Sequence, residues 1–144
     1  MRKISQQVAL ATAAFLLAAA PAVADIRIYS SPGGEISSYL KFFSRVKGSG
    51  ERVIIDGPCY SACTLVLSTI PRNRVCVTRR AVLGFHAPQV VEPNGRRYRS
   101  RQVTAAMTAS YPPSVRAWIK RQGGLTGRPI LLRGRELAAF YPRC

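Results

Sequence analysis

The sequence predicts an α/β domain with a small parallel sheet packed by helices, on three observations. β-Branched runs alternate with helical patterns along the first half of the chain, the rhythm of βαβ units with right-handed crossovers. Turn-forming stretches, "SPGG" and "PCYSAC", stand where the first two strands end, which is where ligands sit in such sheets. Setting aside a leader of 24 residues leaves 120 of the 144, enough for one domain with one modest core.

That leader is "MRKISQQVALATAAFLLAAAPAVA": Arg2 and Lys3, an apolar run from Val8 to Ala20, then Ala-Val-Ala. The pattern is that of a secretory signal peptide spanning 1–24, with Asp25 as first residue of the exported chain. A membrane anchor is the competing reading, but the apolar run is shorter than the roughly 20 residues a span needs. No transmembrane anchor is therefore expected after cleavage.

In the 25–144 domain, "DIRIYS" alternates as a short strand, and "SPGG" turns the chain. In "EISSYLKFFSRV", Ile36, Leu40, Phe43 and Val46 recur at helical spacing, and "KGSG" ends that helix. "ERVIIDG" is the second strand, "PCYSAC" its connection, and "TLVLSTI" an apolar helix closed by Pro71. "RVCVT" and "AVLGFHA" supply two more strands, and "VVEPNGRRYR" reads as a hairpin about Asn94-Gly95. The remainder reads as helices: "SRQVTAAMTASY", "SVRAWIKRQ" with Ser114 as its cap and Gly123-Gly124 as its end, and "RELAAFY". The expected sheet joins "DIRIYS", "RVIID", "RVCVT" and "VLGFH", with a three-layer doubly wound domain as the alternative arrangement.

Four cysteines, Cys59, Cys63, Cys76 and Cys144, lie beyond the leader. An exported chain with an even count points to disulfides, with three connectivities open. No zinc motif accompanies them, and His86 is the single histidine, so neither a metal nor another cofactor is expected. Without Arg2 and Lys3 the net charge falls from +16 to +14, which steers the chain toward anionic surfaces. Arg96, Arg97, Arg99 and Arg101 form the densest basic cluster. Export argues against nucleic acid as its partner, and a solvated basic face is the plainer reading.

Chemistry points to Ser61. A serine at a strand-to-helix elbow lies beside unpartnered N–H groups that favour a developing oxyanion. His86 is the one imidazole that can take its proton. Ala62 and a glycine of the "SPGG" turn, Gly33 or Gly34, are the candidate oxyanion donors, since glycine lets backbone approach a substrate closely. Ser61 as a helix cap, and His86 as a packed histidine, are the competing structural readings.

Taken together, "IYSSPGGEISSYLKFF", "VIIDGPCYSACTLVL" and "RVCVTRRAVLGFHAP" resemble the ClpP-type serine peptidases of the crotonase-like superfold, in a small exported branch. The resemblance runs from Ile26 to Pro88. It implies a truncated ClpP/crotonase-like fold, with Ser61 as nucleophile, His86 as general base, and Gly33 or Gly34 with Ala62 binding the oxyanion. It also implies a catalytic aspartate near Pro129, where this chain has none. A backbone carbonyl or Glu136 is left to take that role. Relatives of this kind assemble as rings or trimers, so self-association is expected, the more so as the shortened sheet leaves an edge open.

Two function classes follow. One is an exported serine hydrolase, a peptidase acting on a peptide or protein through a Ser61–His86 dyad. The other is a non-catalytic ClpP-like module whose basic surface binds an anionic partner or scaffolds an assembly. Acyl-CoA chemistry is a poor third, because CoA is not expected outside the cytoplasm.

Overall fold

The computed structural model describes residues 24–144. The signal peptide read from residues 1–24 lies, except for Ala24, outside the described residues.

The order of elements is β1 (Ile26–Ile28), α1 (Ile36–Ser49), β2 (Val53–Ile55), β3 (Pro58–Tyr60), a 3-10 helix at Ser61–Leu65, α2 (Val66–Thr69), a 3-10 turn at Arg72–Arg74 and β4 (Val75–Val77). Then come β5 (Val82–Phe85), β6 (Val90–Val91), β7 (Arg97–Tyr98), α3 (Arg101–Ser110), α4 (Pro113–Arg121), β8 (Ile130–Arg133) and α5 (Gly134–Phe140). The domain is mixed α/β, and β1, β2 and β4 form the expected parallel sheet, with Ile26 opposite Val53 and Val53 opposite Val75.

The fourth expected strand is elsewhere. β5 belongs to a second sheet, parallel to β3 and antiparallel to β8. The physical reason is a bend shared by three chain segments, each leaving the first sheet and entering the second in the same order. Ser31, beyond β1, bridges Cys59 of β3, and Cys59 pairs with Leu83 of β5. At the bend, a Cβ on Gly57 would stand 1.9 Å from the Tyr29 carbonyl oxygen, so only glycine lets the first two segments cross this closely.

Asp56, beside Gly57, ties the bend together. Its buried carboxylate accepts from Arg27 (3.0 Å), Thr78 (2.7 Å) and Arg80 (2.6 and 3.1 Å), one partner from each flanking segment and the third from the turn after β4. These donors, the Arg80 hydrogen bond first, hold its carboxyl far below the usual range despite burial.

Helices cover the sheets as expected, with four corrections. "TLVLSTI" is a 3-10 helix running into a single turn of α-helix, and "PCY" is a strand rather than a connection. β8 interrupts the region read as helical throughout. Ser114 is not a cap: α4 starts at Pro113, whose fixed φ suits a first helical position.

The core joins Phe43 and Val46 of α1, all of β2, and an aromatic cluster in which Phe85 packs 5.3 Å from Tyr111 and 5.6 Å from Trp118. Cys76–Cys144 pins the chain's end along the outer edge of β4, where Val77 N–H donates to Pro142 and Cys144 N–H to Val77. Cys59 pairs with Cys63, which closes the connectivity left open above. No helix among the described residues is long and apolar enough to cross a membrane.

Candidate functional site

Ser61 begins the 3-10 helix directly after β3, and its φ is 55°. It is the one non-glycine among the described residues in the left-handed region, a conformation costly for a residue with a Cβ. Four features hold it there. The Cys59–Cys63 disulfide closes the loop around it. Gly33 presses from the "SPGG" turn, where a Cβ would lie 2.5 Å from Ser61 Cβ and 2.6 Å from Tyr60 O. Behind the serine, the buried Thr64 hydroxyl donates to the Ser61 carbonyl at 2.7 Å. With its proton engaged there, Thr64 accepts from Tyr111 Oη at 2.6 Å. Burial pushes the Tyr111 hydroxyl up to about 12, partly opposed by this bond, so it remains a donor across the neutral range.

The Ser61 side chain caps nothing: no side chain bonds the start of this helix, and Ser61 Oγ has no hydrogen-bond partner among the described residues. It lines a cleft of about 800 Å³ together with His86 and Gly34. The start of α1, the β6–β7 hairpin and Met107 of α3 form the other walls, with Leu40 turned into the cleft rather than the core.

His86 follows β5 and stands at the same end of the second sheet as Ser61. Its Nδ1 lies 2.8 Å from the Ala87 carbonyl oxygen. That contact selects the tautomer with the proton on Nδ1, which leaves the Nε2 lone pair as acceptor. Ala87 is itself fixed, since its N–H donates to Thr126 O at 2.7 Å.

The candidate oxyanion donors differ. Gly33, at φ 85°, directs its N–H to Ser31 Oγ at a long 3.4 Å, whereas Gly34 N–H has no partner among the described residues and borders the cleft. A Cβ on Gly33 would come 3.0 Å from Ala62 N, so the glycine turn and the N–H after Ser61 lie side by side. As second residue of a helix, Ala62 has an N–H of the kind helix geometry leaves free.

Among the described residues no carboxylate bonds His86: Glu35 lines the same cleft, but its two oxygens accept from Ser37 (2.6 Å) and Ser38 (2.7 Å). Glu136 accepts from Trp118 Nε1 at 2.7 Å, and Glu92 pairs with Arg96 at 2.8 Å. Pro129, where the acid was expected, borders a second recess alongside His86. The Ala87 carbonyl is thus the group that fixes the ring. Among the described residues, no three His, Cys, Asp or Glu side chains converge as a metal site.

The fold divides the basic cluster. Arg96 binds Glu92 and stacks on Tyr98 at 5.8 Å, Arg97 faces the cleft, and Arg99 and Arg101, the latter opening α3, border one recess with Gly127. Sequence reasoning missed Thr64, Tyr111 and Ala87. The helical context of Thr64 hinted at an elbow, but nothing in the sequence ties Tyr111 to it. No family model matches the chain, and no curated protein matches it either.

Proposed function

We propose that this chain is an exported serine hydrolase, a peptidase by reaction class, that works through a Ser61–His86 dyad. The observation that carries the reading is the left-handed Ser61 with an unengaged hydroxyl, in one cleft with a histidine whose Nδ1 is tied to Ala87 O. Strain at a residue whose polar side chain satisfies no structural bond marks a nucleophile elbow better than a cap. Nε2 takes the Ser61 proton as Oγ attacks the substrate carbonyl, and the Gly34 and Ala62 N–H groups receive the oxyanion. His86 then returns the proton to the leaving group, and water repeats the sequence to release the acyl group. Ala87 O orients the ring but carries no full charge. Replacing the orienting aspartate of a triad costs about 10⁴ in turnover, so slow hydrolysis is expected here.

A truncated ClpP/crotonase-like fold is part of this proposal, supported by the three segments that pass in one order through both sheets and by the glycine turn set against the elbow. Export is supported by the two disulfides, which persist in oxidising compartments. Self-association is proposed through β1 and β8, the outer strands of their sheets.

The test is covalent labelling by a fluorophosphonate. Mature protein is modified at Ser61, and His86→Ala slows the reaction by about 10²–10⁴, the usual contribution of a general base. Folded protein that stays unlabelled overturns the hydrolase reading in favour of the non-catalytic module. The charge distribution supports that second reading: among the described residues only Arg27, Arg52, Arg80 and Arg96 pair with carboxylates.

A further inference from the structure

His86 borders two recesses, not one. Besides the cleft with Ser61 and Gly34, it lines a recess of about 530 Å³ with Pro32, Tyr60, Gly84, Pro129 and Leu131. Strand pairing builds the floor of this recess. Tyr60 lies opposite Gly84, and Gly84 opposite Leu131, so the three form one row across the outer face of the second sheet. Gly84 is required because the tyrosine ring occupies its side-chain space: a Cβ there would meet Tyr60 Cδ1 at 2.4 Å. Tyr60 and Leu131 remain 36% and 41% exposed, an apolar surface beside a reactive histidine. In a strongly basic chain, this recess contains no arginine, lysine or carboxylate.

We propose that this recess is the leaving-group subsite of the Ser61–His86 site, and that it takes an uncharged apolar or aromatic group. In a peptide that group is the side chain just after the scissile bond. The inference rests on the hydrolase reading and deepens it. The acyl half of a substrate must lie with the nucleophile and the oxyanion donors, which is the cleft that holds Ser61 and Gly34. The leaving half must reach the histidine that protonates it, without needing those donors. The second recess meets that condition, sharing His86 and lacking Ser61 and Gly34. Two prolines, a tyrosine and a leucine offer flat apolar contact, whereas a charged group would lose its hydration there without a partner.

By microscopic reversibility, the leaving-group site is also where an incoming amine binds the acyl-enzyme. p-Nitrophenyl acetate is used to acetylate Ser61, and phenylalanine amide or aspartic acid amide is then added. The amine nitrogen forms the new amide bond, the ester bond to Ser61 Oγ breaks, and the amine proton passes through His86 to that oxygen. Phenylalanine amide should discharge the acetyl-enzyme at least about tenfold faster than aspartic acid amide at equal concentration, a typical discrimination by an apolar pocket. Leu131→Asp should abolish this preference. Equal discharge by both amides, or an undiminished preference in Leu131→Asp, overturns the subsite.

A second measurement stands apart from catalysis. His86 is the only histidine, so its imidazole NMR signals are unambiguous. Phenylalanine amide should shift them saturably in intact protein, and the shift should be lost in Leu131→Asp. If Ser61 is not acetylated but the shift occurs, the hydrolase reading fails and the recess survives as a binding site. Absence of any shift overturns the recess whether or not Ser61 reacts.

Discussion

Asp56 and Ser61 flank the short strand β3, and their polar groups are treated in opposite ways. Asp56 is 6% exposed, yet its carboxylate is saturated by Arg27, Thr78 and Arg80. Ser61 is half-buried, strained at φ 55°, and its hydroxyl has no partner among the described residues. A satisfied buried charge fixes the bend between sheets, whereas an unsatisfied hydroxyl on an over-determined backbone is available for chemistry. Under the proposed function, the contrast separates a stability site from a reactivity site within one segment, and variants on each side can break it.

The largest effect is expected at the bend. In Gly57→Ala the added Cβ meets backbone, not a flexible side chain, so the Tyr29 and Gly57 segments must part and both sheets lose their crossing. The protein should lose its cooperative thermal transition and its near-ultraviolet circular dichroism. A folded Gly57→Ala with an ordinary melting curve would show that the crossing tolerates more than backbone contact allows. The disulfides come next. Removing Cys76–Cys144, which spans 68 positions, should cost about 4 kcal/mol by loop-closure entropy, against about 2 kcal/mol for Cys59–Cys63, which spans four. The order should invert for reactivity: in folded protein, only loss of Cys59–Cys63 should slow labelling at Ser61. Urea denaturation paired with labelling rates checks both.

The same contrast explains what could be read in advance. β1, α1, β2, β4 and the β6–β7 hairpin were legible because each carries its own period or turn. The split into two sheets was not, because a bend at Asp56-Gly57 leaves no trace in periodicity. β3 escaped because Pro58, Cys59 and Tyr60 do not alternate, and β8 because "ILLR" suits a helix equally well; both become strands by pairing with β5. Ser61, His86 and the glycine turn were legible as a pattern of residue types. The group that holds His86 was not, since every residue has a carbonyl and only the folded backbone aims that of Ala87. Tyr111 lies 47 positions from Thr64, a contact made solely by packing of the later helices.

Acid should act on the bend before the elbow. The Asp56 carboxyl titrates far below its ordinary 3.8, so the folded state binds fewer protons there than the unfolded chain. Its contribution to stability is complete above that value and is lost progressively as pH falls below it. Asp25, Glu35 and Glu92 are also lowered, by Arg52, by Ser37 and Ser38, and by Arg96 respectively, but these more open pairs contribute less. Urea midpoints measured from about pH 6 down to about pH 2.5 should fall in the wild type. In Asp56→Asn they should begin lower and decline less. Parallel curves for the two proteins would remove Asp56 from its assigned role.

The smallest expected change in stability is the sharpest test of the elbow. Ser61→Gly removes the hydroxyl and the Cβ from a left-handed position that costs an L residue roughly 1–2 kcal/mol. Glycine returns part of that gain through greater freedom in the unfolded chain, about 0.5–1 kcal/mol. The net outcome should be a protein as stable as wild type or more stable, by up to about 1.5 kcal/mol, with labelling abolished. Ser61→Ala keeps the Cβ and its strain while losing the hydroxyl, so it should be equally unreactive but match wild-type stability within about 0.5 kcal/mol. The difference between the two variants therefore isolates backbone strain from hydroxyl chemistry. If both are destabilised, the Ser61 hydroxyl serves the fold as Asp56 does, and the distinction between the two residues collapses. If Ser61→Gly alone gains stability, the strain is real and is maintained by Gly33, Thr64 and the Cys59–Cys63 bridge at a serine that the fold does not need.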